Sequence, residues 1–163
     1  TDKALARILF GMGSLSLGEL GGERIKVALE ANSTEDEHDC FSDNTHWSHY
    51  YNGVGIQNIY LGRYTTLAGK KLSGPAIGDL VAAQNKEVDA ATRQALEDTV
   101  RSLTALTELA EREIDPMPFD RLIAEGNDTG AQLLSQILDN LVVQTRQLES
   151  AAATIDINPN ATL

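Results

Sequence analysis

Apolar residues recur at alternating spacings of four and three through Leu134, Leu138, Leu141, Thr145, Leu148, Ala152 and Ile155. That is a helix-packing seam about three heptads long. Asn127 or Asp128 can cap its start, and Asn158-Pro159 ends it. A second helix runs from Lys86 to Glu113, with Val88, Ala91, Ala95, Leu103, Leu106 and Ala110 on its apolar face. Asp115-Pro116 stops it, because a residue before proline avoids the helical region. Met117 to Glu125 reads as a loop with one short helical turn, which makes the two long helices an antiparallel pair in a bundle.

Upstream, Ile77 to Gln84 is a short helix after the Ser73-Gly74-Pro75 break. Leu5 to Ala31 keeps helical spacing at Leu5, Ile8, Met12 and Leu15, yet Gly11, Gly13, Gly18, Gly21 and Gly22 interrupt it. Each interior glycine costs roughly 0.5–1 kcal/mol relative to alanine. Two compensations fit: close approach of another helix, or a kink or π-bulge beside a site. Ser42 or Asp43 can cap a further helix from Asn44 to about Tyr64. No alternation of useful length predicts a strand. The pattern predicts an all-α, four-helix-bundle-like domain over residues 1–163, with glycine-rich helices and an acidic, histidine-containing loop.

Composition narrows the function classes. The chain of 163 residues has 24 acidic against 13 basic side chains, a net charge of −11 and one cysteine, Cys40. Such a length buries roughly 70% of its unfolded surface in one core. A lone cysteine excludes an intramolecular disulfide framework, and Cys40 reads as a small buried hydrophobe. No apolar run approaches the ~18 residues of a transmembrane segment. The charge argues against nucleic acid and anionic membranes as main partners. The same charge leaves a cation as a partner. The opening, Thr1 followed directly by a helical pattern, reads as a processed product or a piece cut from a longer protein.

The charge is unevenly spread. Val27 to Gly62 holds no Lys or Arg but carries Glu30, Glu35, Asp36, Glu37, Asp39 and Asp43, together with His38, His46 and His49. On a helix starting near Ser42, Asp43 and His46 share a face, and His46 and His49 repeat that spacing. Carboxylate and imidazole so placed can ligate one cation, with Zn, Fe or Mn suited to such donors. Read without a ligand, the segment is a solvated acidic loop leading into a capped helix, with His46 bonded to a neighbouring carboxylate. Glu19 and Glu23 can face the space around His46, or Glu23, Arg24 and Lys26 can form ion pairs of small worth. Trp47, Tyr50, Tyr51, Tyr60 and Tyr64 read as core or interface residues.

Three runs together resemble the C-terminal half of the imelysin family: Gly21-Gly22-Glu23-Arg24-Ile25, Glu35 through His46, and Gly55-Ile56-Gln57-Asn58-Ile59-Tyr60-Leu61-Gly62-Arg63-Tyr64. The family includes iron-regulated protein A and proteins classed as insulin-cleaving, zinc-dependent peptidases of the bacterial periplasm or outer membrane. The resemblance implies two helical bundles facing each other across a cleft, with a Gly-x-His-x-x-Glu signature in the N-terminal one. That signature does not occur here: the third residue after His38, His46 and His49 is Phe41, His49 and Asn52. The resemblance therefore implies that residues 1–163 are the second domain and that the N-terminal imelysin-like domain is absent from this chain. It marks Asp43 and His46, with Glu37 and His38, as metal-site residues. Glu23, Arg24, Ser42 and Asn44 are implied to line the cleft, whereas His49 rests on spacing alone.

Three functions follow. The chain is linked to iron uptake or metal binding, with Zn or Fe as the ion; or it is part of a metal-dependent peptidase, inactive alone because a catalytic metal needs three protein ligands and an open position; or it is a bundle that only mediates protein contact. A metal ion or a peptide is the ligand implied.

Overall fold

The computed structural model describes residues 2–157. Four principal helical runs pack up-down-up-down. The first comprises α1 (Asp2–Gly13), a π-helical segment (Ser14–Lys26) and α2 (Val27–Ala31). The others are α3 (Thr45–Leu61), α5 (Lys86–Ala110) and α7 (Asp128–Thr154), with α4 (Ile77–Gln84) and α6 (Phe119–Leu122) as short connectors. A two-stranded antiparallel hairpin, β1 (Arg63–Thr65) and β2 (Lys71–Ser73), pairs Tyr64 with Leu72. The all-α expectation holds apart from this hairpin, whose three-residue strands are too short to show alternation.

Local chemistry explains most boundaries. The Asn127 side chain accepts the Gly130 N–H at 2.9 Å and starts α7. The Asn85 side chain accepts from Glu87 and Val88 and starts α5. At the far end of α7, Asp156 adopts φ 58°, Asp156 N–H donates to the Ala153 carbonyl and Ile157 N–H donates to that of Ala152. This is a Schellman closure with Asp rather than Gly in the left-handed position. Asn158-Pro159, the expected terminator, lies outside the described residues. Helix α5 ends at Ala110, short of Glu113. Helix α3 ends at Leu61 because Gly62 takes φ 59°, where a Cβ would stand 2.7 Å from the Gly74 carbonyl oxygen.

The core has two apolar halves. One gathers Leu9, Met12, Ile56, Tyr60, Val81, Leu96 and Leu148. The other gathers Leu20, Ile25, Leu103, Leu106, Phe119, Leu134, Ile137 and Leu141. Between them the Gln144 amide donates to Ser16 Oγ at 2.9 Å, and the Thr145 hydroxyl lies 3.1 Å from the same oxygen. Both explanations for the early glycines contribute. Gly13 and Gly21 face Thr145 and Leu141 of α7, as close packing requires. A Cβ on Gly21 or Gly22 would also press to 3.3 and 3.2 Å on the carbonyls of Ser16 and Leu17, five residues back. Those residues therefore suit the wider π turn. Gly11 faces open space and serves neither purpose.

The two kinds of glycine should respond oppositely to alanine. Gly11→Ala should stabilise the chain by about 0.5–1 kcal/mol, since nothing meets the added methyl. Gly130→Ala, whose Cβ would clash with the Leu122 backbone, should destabilise it by roughly 3 kcal/mol. Urea unfolding midpoints check both, and equal shifts would contradict the packing described.

Candidate functional site

One end of the bundle collects the chain's polar chemistry where the first turns of α3 meet the loop between α2 and α3, the end of α5, and α6. The loop is tied down at two carboxylates. Glu37 accepts the Thr45 hydroxyl proton at 2.6 Å, and the same hydroxyl accepts the Asp39 N–H at 3.1 Å. Asp39 accepts from Ser42 at 2.8 Å and Ser48 at 3.0 Å, and those bonds hold its carboxyl below the ordinary range. Burial pushes Glu37 upward, and the nearby charges of Asp120 and Asp43 add to the rise.

His46 and His49 lie one turn apart on α3 and are both buried. His46 Nε2 donates to Glu111 Oε1 at 2.7 Å, and Trp47 Nε1 donates to the same oxygen at 3.1 Å. The bonds from His46 and then Trp47 hold the Glu111 carboxyl below its ordinary value. With an ionised carboxylate as partner, Nε2 carries its proton and a neutral His46 keeps its lone pair on Nδ1. That atom is buried and has no hydrogen-bond partner among the described residues. Both ring nitrogens of His49 are in the same condition. The His49 ring packs edge-on against Phe119 at 5.1 Å and stacks on His38 at 6.3 Å.

The remaining sequence-predicted residues take other positions. Helix α3 starts at Thr45 after an Asn44 cap that makes no side-chain bond, so neither Ser42 nor Asp43 caps it. Asp43 is exposed at φ 52° before the helix, and helical spacing does not relate it to His46. Ser42, Asn44, His38 and Glu23 are exposed. Arg24 is half-buried, pairs with Glu19 at 3.5 Å and adds to the field that disfavours a charge on His49. Cys40 is exposed rather than buried. Tyr60 is core, but Tyr51 and Tyr64 face solvent. Spacing could not reveal Glu111, which lies 65 residues from His46 and meets it only through the α3–α5 packing.

Among the described residues, no three His, Cys, Asp or Glu side chains stand close enough to hold a metal ion by themselves. The orphaned nitrogens of His46 and His49 suit at most two positions of a cation that is completed by other donors. The Glu111–His46 contact has the form of the carboxylate–histidine pairs that orient metal-binding imidazoles.

Burial lowers the His49 pKa from its ordinary value to about 3, with the charges of His38, Arg24 and His46 adding to the effect. The folded chain therefore binds fewer protons than the unfolded one between those values. Stability should fall by up to about 1.4 kcal/mol per pH unit as pH drops below about 6.5. The depressed carboxylates lose their contributions only at still lower pH, and Glu37 acts in the opposite sense. Urea midpoints between about pH 7.5 and 5 should show this slope in the wild type and a flatter line in His49→Leu.

Comparison with known proteins places the sequence in a family. No curated protein matches the chain. The imelysin model of peptidase family M75 matches residues 1–148, covering the acidic loop, the two buried histidines and all of α5. The chain belongs to the imelysin family.

Proposed function

We propose that this chain is one half of an imelysin-type cleft protein of the bacterial periplasm or outer-membrane face, linked to metal binding and iron uptake. His46 and His49 provide its donors, and the opposite wall belongs to an N-terminal imelysin-like domain. The observation that carries this reading is the set of three buried imidazole nitrogens without partners, His46 Nδ1 and both nitrogens of His49. Leaving one such group unpaired costs about 1–3 kcal/mol. Gln144 Oε1, elsewhere in the core, is the one other buried side-chain polar atom without a partner among the described residues, and the gathering of three such atoms one turn apart on α3 is explained by a ligand that uses them.

Glu111, which also accepts from Trp47, fixes the His46 ring through Nε2 and leaves the buried Nδ1 without a protein partner. Glu37, Thr45 and Asp39 hold the loop that carries His38 over His49. A bound Zn or Fe would supply Lewis acidity there. Peptidase action by the intact two-domain protein is a second reading, favoured by the peptidase classification of the family and by the His46–Glu111 dyad. A dyad of that form can hold or pass a proton.

Calorimetric titration with Zn(II), and with Fe(II) under anaerobic conditions, tests the metal reading. Weak binding is expected, because only two donors come from this chain. Glu111→Gln should weaken it roughly 10–100-fold, and His46→Ala/His49→Ala should abolish it while circular dichroism shows the helices intact. Equal heats from the wild type and the double variant would eliminate metal binding by this half.

A further inference from the structure

Three of the 13 cations of this acidic chain lie in a stretch without carboxylates. From Asn44 to Gly78 there is no Asp or Glu, although the chain has 24. Within that stretch, Arg63, Lys70 and Lys71 lie on or beside the hairpin, and none makes an ion pair among the described residues. Arg63 is instead held to Gln57 at 2.8 Å.

An open groove of about 1480 Å³ runs between the hairpin and the outer face of α3. Trp47, Tyr51, Arg63, Tyr64, Lys71 and Leu72 line it, and no Asp or Glu does. Tyr51 and Tyr64 are 63% and 54% exposed, so their rings are free to be covered. The volume exceeds the usual range for a small-molecule pocket. The two strands pair only with each other and are exposed throughout, which leaves each with an unpaired backbone edge.

We propose that this groove docks an extended acidic segment of a partner protein. Its backbone adds to a free edge of the hairpin, its carboxylates meet Arg63 and Lys71, and its apolar side chains lie on Trp47, Tyr51 and Tyr64. An anionic polysaccharide would use the cations and rings but leave the strand edges unsatisfied, whereas a peptide backbone matches them. A second copy of this chain is a poorer occupant. Its acidic run, Glu35 to Asp43, is tied in place by the Glu37–Thr45 and Asp39–Ser48 bonds and is not available as a strand. The proposal uses neither His46 nor His49, so it goes beyond the metal reading.

Fluorescence anisotropy of the full chain with a labelled peptide alternating glutamate and valine is the test. Saturable binding is expected, weakened at least about tenfold by Arg63→Glu/Lys71→Glu. It should also weaken in ~1 M salt, where the screening length falls to about 3 Å. Methylating alternate peptide amides should abolish binding to the unmodified protein, and a lysine-for-glutamate peptide should not bind. Metal titration of Arg63→Glu/Lys71→Glu should be unchanged, which keeps this result separate from that of the histidine site. Equal affinity for the glutamate and lysine peptides, no binding of either, or indifference to amide methylation would overturn the proposal. So would self-association that Arg63→Glu/Lys71→Glu abolishes, since the groove would then belong to a second copy.

Discussion

The antiparallel packing of α5 on α7 is the constraint from which the rest of this bundle takes its place. Leu96 and Leu148 sit in one half of the core, while Leu103, Leu106, Leu134 and Leu141 sit in the other. Polar bridges hold the pair in register: the Thr92 hydroxyl reaches the Gln147 carbonyl, and the Asn140 amide reaches Asp98 and Ser102. A fully buried leucine is worth roughly 1.5–3 kcal/mol, so this seam outweighs any single bond at the site. Helix α3 then docks on α5, with Gly53 admitting Leu103 so closely that a Cβ would lie 2.5 Å from its Cδ1. That approach carries His46 to Glu111 at one end. At the other end it carries the buried Tyr60 hydroxyl to Asp89, 3.0 Å away.

How much of this was legible in the sequence depends on the range of the interaction. Helices α4 and α7 and the single turn of α6 were written in local periodicity and caps, and the structure places them accordingly. The end of α3 and the hairpin were not, because three-residue strands carry no period and Gly62 acts through its contact with Gly74. The glycine-rich first helix announced that something was unusual but left open which of two causes applied. The answer required seeing Gly13 and Gly21 against α7 while Gly21 and Gly22 also crowd the carbonyls five residues behind them.

The site shows the same division. His46 and His49 stood out by composition and by spacing, and both are buried one turn apart on α3. The ligand-free reading of His46, bonded to a carboxylate, also describes what is observed. It could not name the carboxylate, because Glu111 belongs to the far end of another helix. Nor does it account for His49, which satisfies neither nitrogen and packs against Phe119 instead. Burial and the lack of a partner at these nitrogens are properties that only tertiary structure reports.

The charge pattern also acquires a structural cause. Residues 27–43 hold six carboxylates and no cation, 44–62 hold neither Asp, Glu, Lys nor Arg, and 63–78 hold three cations and no carboxylate. The central block contains α3. The acidic loop therefore faces the positive end of the α3 dipole and the cationic hairpin its negative end, each well-placed charge contributing about 0.3–1 kcal/mol. Dipole matching is strongest within the adjoining turn, which describes Asp43 and Arg63 better than Glu35 or Lys71. Lys71 lies across the hairpin from Thr65 and lines the groove, beyond the range at which the helix end explains it. The outer carboxylates of the loop and the two lysines of the hairpin, Lys70 and Lys71, thus exceed what α3 needs for its own stability, which leaves the two ends of this helix with opposite fields.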